Sequence, residues 1–507
     1  MNNIPRFPSA ALENMNDLIF LSLDDNAIER ITRKNLAVLI SPMFQHLNLS
    51  NNLINYISTK ALSQLDNLAI LILHSQKDPY QMTTIKYDAF EGISNDLTTL
   101  FISDNSLPYF PHAVFEGDSY DSLKYLHADG NQISNITTYS EDQYTATTLV
   151  YYNVKKEQVE HFGSMPNLLE LYLGANAIDH INDTYLCNLE SILVLFLEGN
   201  YLDETNLHDD AFACIPTLET LNLNNNLFQY VPEAVVTNDT LPSIRNLYMD
   251  SNKLTFLLAE TFTALTTLEV LRLSSNDIIS IEDKTFPADI QTIKLRSNSF
   301  HFLHENPFYN LTQLNTLDLS GNVIDYIPDT AFDYCINLDN LDLSSNQIGR
   351  ILDTTLEDCP LTNTLDLSYN ELAYIEPGSF AHFTSLVTLD LSNNHLTVLP
   401  NDGDFVNVSI TNFGLDNNRL TSLPAGIFSN IQGINTFDLT NNDISSIGSY
   451  AFDNIDANFI YLTDNPLSSL APYSFNDITC RRLDLKNMYL PSIPSNAFNN
   501  IDLQQYL

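Results

Sequence analysis

The chain has 507 residues, too long for one ordinary hydrophobic core, so it is either several domains or a repeat array. Hydrophobic residues make up 44% and aromatics 10%, which excludes disorder. A formal net charge of -42, from 63 acidic and 21 basic residues, excludes binding to a phosphate backbone or docking on anionic membranes; it favours solubility and would attract a basic partner. No apolar run reaches the length needed to cross a bilayer. The N-terminal residues MNNIPRFPSAALENMNDL lack the basic start, apolar core and cleavage site of a secretory signal, and neither end carries a lipidation motif.

Along the chain one pattern recurs, L-x-x-L-x-L-x-x-N. Leu12, Met15 and Leu18 already have the spacing of Phe332, Cys335 and Leu338, so the chain is expected to begin inside a unit. The asparagine returns at Asn26, Asn52, Asn105, Asn131, Asn153, Asn176, Asn200, Asn226, Asn252, Asn276 and Asn298, then in steps of 24 through Asn322, Asn346, Asn370, Asn394 and Asn418 to Asn442, and last at Asn465. Gln76 and Met488 hold the same register, making about twenty repeats in a single array over 1–507. The L-x-L alternation predicts a short strand with one face inward. The Asn falls where the chain turns and can satisfy backbone groups left unpaired there. About ten residues later a Phe recurs, at Phe115, Phe262, Phe286, Phe308, Phe332, Phe380, Phe428, Phe452, Phe475 and Phe498, predicting a buried aromatic spine opposite the strands. No repeat can bury its apolar face alone, so stacking supplies the core.

The residue between the two strand leucines points outward from the sheet. From Ile72 to Tyr248 this column is apolar and aromatic with a few polar interruptions, holding Phe101, His127, Leu149, Tyr172, Phe196, Asn222 and Tyr248; Arg272 and Lys294 follow, with Arg296 two residues on, and then Asp318, Asp342, Asp366 and Asp390. Exposed aromatics on one face mark a protein-binding patch, although aromatics also simply suit a pleated sheet. The acidic ladder suits a basic partner, or is no more than the common L-D-L-S-x-N form of the motif. Two irregular places flank the aromatic section: KDPYQMTT is inserted after Gln76, and the unit around Asn153 is degenerate. Insertions of this kind often carry binding.

Cys187 with Cys214, and Cys335 with Cys359, lie on adjacent repeats and are candidate disulfides, the alternative being buried thiols; Cys480 has no neighbour in register. Glycosylation sequons stand at Asn48, Asn135, Asn182, Asn238, Asn310 and Asn407, and a glycan on Asn48 would obstruct the sheet face. His301 and His304 lack a third metal ligand, and the Asn401–Asp404 turn lacks the bidentate Glu of a calcium loop. No P-loop, G-x-S-x-G, H-E-x-x-H or C-x-x-C motif is found, so no catalytic residue, metal or cofactor is expected. After Phe498 and Ile501 the chain is expected to stop as a further strand begins.

These motifs resemble the leucine-rich-repeat family over essentially the whole chain. The 24-residue period with its Phe column is similar to the extracellular class of Toll-like receptors and small matrix proteoglycans. The resemblance implies an α/β-type solenoid, a horseshoe with a concave parallel β-sheet and a mostly irregular or short 3-10 convex side. It also implies ligand binding on the concave face, and cysteine-rich end caps that are missing here, so a longer protein is expected. The expected role is recognition of a protein by a receptor-like or adhesion ectodomain, with a homodimer among the partners considered. An intracellular scaffold, or the binding part of an enzyme-linked receptor, remain as alternatives.

Overall fold

The computed structural model describes all residues except 1–2, 78–81, 84, 86–88, 91–92, 94–95, 111–120, 135, 137–164, 305, 401–409, 430, 432 and 504–507. The chain divides into two compact units, Met1–Lys253 and Leu254–Leu507.

In the first unit nine described strands pair in parallel, each with the next, from Phe20–Ser22 to Asn246–Tyr248. Each inner leucine meets its counterpart, as Leu100 meets Leu126 and Leu126 meets Leu171. Tyr125–His127 pairs directly with Glu170–Tyr172, so the ladder passes from the Asn131 repeat to the Asn176 repeat. Asn153 and Leu149 lie outside the described residues. The second unit carries eleven described strands of the same kind, from Val270–Arg272 to Phe498–Leu503.

The repeated asparagines hold neighbouring turns together. Asn346 is typical: its Nδ2 donates to Leu343 O in its own turn and to Leu319 O in the preceding one, each at 3.0 Å, while its Oδ1 accepts from Ile324 N at 3.0 Å. A single buried amide thus satisfies three backbone groups that the turns leave over. Gln76 does the same with a longer arm, accepting from Ile54 N and donating to Leu49 O and Leu73 O. Ile133 N donates to Asn176 Oδ1, confirming the direct step from the Asn131 repeat to the Asn176 repeat.

The residue before each ladder Asn sits in the left-handed region. Asn, Asp, Ser or Gly fills that position in every described repeat except at Ala175 and Tyr369. Short polar side chains and glycine tolerate this conformation best. Opposite the sheet, Phe262, Phe286, Phe308 and Phe332 stack with centroids 5.8–6.4 Å apart, forming the expected spine; Leu356 takes the next position, and Phe452, Phe475 and Phe498 resume the stack.

Regular helix is nearly absent from the described residues: Ser9–Leu12, Arg33–Leu36 and one 3-10 turn at Glu233–Val235. The irregular side changes character near the C-terminus. Phe452–Tyr461 and Phe475–Asp484 run as continuous ten-residue strands from the spine into the sheet. Here the period drops to 23, from Asn442 to Asn465 to Met488, so eight residues instead of nine separate the spine Phe from the inner strand residue. A left-handed residue recurs at Asn454 and Asp477 in these strands and at Asn500 in Phe498–Leu503, where the paired register skips one residue on both sides.

Candidate functional site

The strand alternation aims Phe101, His127, Tyr172 and Phe196 outward on four consecutive strands. Their rings form one pile. Phe101 and His127 are stacked with centroids 4.3 Å apart, His127 and Tyr172 at 4.2 Å, and Phe196 meets Tyr172 edge-on at 5.0 Å. All four are half-buried, because each ring covers part of the next. The faces of His127 are shared with its neighbours, so what the pile presents to solvent is a strip of ring edges.

Acidic groups border this strip. Tyr172 Oη donates to Glu170 Oε2 at 2.6 Å. Burial pushes the Tyr172 phenol far up, and this hydrogen bond and the charges of Glu170, Asp129 and Glu198 push it further. His127 is lowered by burial, against the pull of Asp129 and Glu170. Asp129 accepts from Ser103 Oγ at 2.8 Å. Glu198 is raised by burial, with Asp129 adding to the rise.

The glycine at position 174 makes room for Glu198. A Cβ on Gly174 would lie 2.3 Å from Glu198 Oε1, so the carboxyl occupies the space of the missing side chain. Its Oε2 is buried and has no hydrogen-bond partner. Sequence reasoning found the aromatic column and missed these acids. They stand two residues before and two after it, positions that the alternation also turns outward.

Tyr248 lies on the same face, but Asn222 stands between it and Phe196 in the ladder. In the second unit Arg272 is exposed, and Lys294 Nζ lies 3.6 Å from Asp318 Oδ2. Oδ1 of Asp318 accepts from Ser320 N and Oγ, and Asp342 repeats the arrangement with Ser344. Asp366 and Asp390 accept from the N–H groups of Ser368 and Ser392. Asn48 and Asn222 accept in the same way from Ser50 and Asn224. Each side chain closes the turn that follows its strand, so a local structural role accounts for the acidic column.

Cys187 and Cys214 form a disulfide, with Cα atoms 4.6 Å apart. The expectation for Cys335 and Cys359 is corrected, since both are free thiols. They point into the core, where Cys335 Sγ donates to Phe308 O at 3.2 Å, and burial raises Cys335 to about 12 and Cys359 beyond it. Cys480 is also free and buried. Asn182, Asn238 and Asn310 are exposed; Asn135 and Asn407 lie outside the described residues. Among the described residues no group of His, Cys, Asp or Glu could hold a metal ion, and no helix is long and apolar enough to cross a membrane.

Two family models match. The BspA type leucine rich repeat region matches residues 37–165, 185–315 and 401–506, most of the chain. The chain belongs to the leucine-rich-repeat family. A second model of the family, Leucine rich repeat, matches 289–348 and 336–396. Among relatives, this leucine-rich-repeat chain is 28% identical to human podocan-like protein 1 over 47% of its length and 40% of that protein's. It is 31% identical to human lumican over 50% of its own length and 62% of lumican's. The chain thus spans about two fifths of podocan-like protein 1 and of mouse podocan. Among solved structures, the glycosylated Toll–Spatzle complex of Drosophila aligns at 19% identity with a TM-score of 0.69, covering 95% of this chain and 63% of that one. The leucine-rich-repeat protein LIC12759 of Leptospira interrogans aligns at 20% identity and 0.56, covering 85% and 92%.

Proposed function

We propose that this leucine-rich-repeat chain recognises a protein through the sheet face of its first unit, outside the cytoplasm, as a receptor-like or adhesion ectodomain. The observation that carries this reading is the pile from Phe101 to Phe196. Four aromatic rings on consecutive strands give a rigid, half-exposed apolar strip with a polar border, the makeup of a binding hot spot. The Cys187–Cys214 disulfide supports an oxidising compartment and speaks against an intracellular scaffold. The matched structures include the complex of Toll with Spatzle.

Tyr172→Ala combined with Phe196→Ala tests the reading. Wild type and double variant are immobilised and exposed to cell-surface and secreted protein fractions, with bound proteins quantified by mass spectrometry. Proteins retained by the wild type are expected to be lost from the variant, while circular dichroism and melting stay the same. Equal retention by both would overturn the proposal.

A further inference from the structure

On the sheet face of the first unit three carboxylates, Asp129, Glu170 and Glu198, gather without an ion-pair partner among the described residues. Asp129 and Glu198 flank Gly174 from the repeats on either side, and Glu170 lies two residues from Tyr172 on the same strand. Ion pairs among the described residues include Lys77–Asp25, His180–Asp179, Lys294–Asp318, Arg482–Asp484 and Lys486–Asp484. None involves these three carboxylates. Glu198 nonetheless leans back over Gly174 toward Asp129, with one oxygen buried and no donor to meet it. Like charges brought together in a partly dry place are costly unless a cation or donor completes them.

Resting on the proposed recognition by this face, we infer that an arginine side chain of the protein partner lies along the ring edges and places its guanidinium between Glu198 and Asp129. A divalent ion is not favoured, because these acids do not converge as a metal-binding group. A guanidinium fits on three counts. Its five donors fan out in a plane and reach carboxylates on opposite sides. Its methylene stem packs along the apolar strip of Tyr172 and Phe196. Its charge offsets the burial and, after it, the Asp129 repulsion that raise Glu198. The high acidity of the whole chain draws such a basic segment in but does not place it, and Gly174 supplies the placement: any larger side chain there would drive the Glu198 carboxyl out of position.

The probe is a fluorescein-labelled peptide of alternating arginine and serine, with its glutamine counterpart as the neutral control, measured by anisotropy against the purified full chain. Glu198→Gln should weaken arginine-peptide binding about tenfold, the scale of one charge-assisted hydrogen bond. Gly174→Ala should weaken it similarly with no change of charge. Asp366→Asn removes the same charge from the second unit and should leave binding unchanged. Equal losses in Glu198→Gln and Asp366→Asn, or unchanged binding in Gly174→Ala, would overturn the inference, and so would equal binding of the glutamine peptide. If the Tyr172→Ala/Phe196→Ala variant loses its captured partners while Glu198→Gln and Gly174→Ala keep them, recognition by this face stands and the arginine site falls.

Discussion

The imidazole of His127 lies flat against the phenol ring of Tyr172, with planes 8° from parallel. Phe101 covers its other face. The rings come from three consecutive strands of the sheet, although 45 residues of sequence separate His127 from Tyr172.

This stacking gives the face a pH dependence. His127 has its folded-state value lowered, chiefly by burial, so the folded chain holds its proton less readily than the unfolded chain. The unfolded state therefore binds more protons below the ordinary imidazole value of 6.5, and stability falls as pH drops through that range. His127→Phe preserves the stack and removes the titration. Thermal melts at pH 7 and pH 5 should show a smaller acid loss in this variant than in the wild type. An identical loss in both would place the acid sensitivity elsewhere.

The asparagine ladder is the most demanding part of the core. Asn346→Ala would leave Ile324 N–H without its acceptor in the interior, while Leu319 O keeps Asn322 Nδ2 and Leu343 O keeps Asn370 Nδ2. One buried donor left unsatisfied costs about 1–3 kcal/mol. Hydrogen exchange should reveal the loss in the turns containing residues 319–346 before it appears in distant turns, because coupling in a stacked array is to nearest neighbours.

Tyr369 occupies a position that nearly every other repeat gives to Asn, Asp, Ser or Gly, with φ at 54° and its side chain exposed. A bulky residue in that region is strained by about 1–2 kcal/mol. Tyr369→Asn should raise the urea midpoint of the second unit, by about 1 kcal/mol of stability. A lower midpoint would mean that contacts of the Tyr369 ring outweigh the strain.

The Cys187–Cys214 disulfide closes a loop of 27 residues. Cys187→Ala with Cys214→Ala should cost about 3 kcal/mol by the chain-entropy account. In the native wild type, alkylation under non-reducing conditions should modify little, because Cys335, Cys359 and Cys480 are buried. After denaturation without reductant three thiols should react. Five would show that the disulfide is not formed.

Much of this architecture is legible in the sequence, because a repeat states the same instruction many times. The position of Asn346 means little alone. Asn322 and Asn370 at equal distances on either side make it a ladder. The spine and the outward column follow from the same counting. What the period does not carry is the local departure. Nothing in the spacing says that Glu198 would turn back over Gly174, since that depends on which side chain is absent from the neighbouring repeat. Nor does register alone separate Cys187–Cys214 from Cys335–Cys359. Both pairs sit on adjacent repeats, yet only the first is bonded, while the second faces the core. The continuous strands of the last turns coincide with a period shortened by one residue, legible as a number but not as a conformation.

The asparagine bonds have a combinatorial consequence. Each turn offers the next the same set of donors and acceptors: Leu319 O receives Asn346 Nδ2, and Leu343 O receives Asn370 Nδ2. Excising residues 323–346 would bring Asn370 beneath Leu319 and restore every ladder bond with one unit fewer. Excising a single residue from the same stretch would throw the strand and its Asn out of phase. Such a chain is quantised in length, able to grow or shrink by whole repeats.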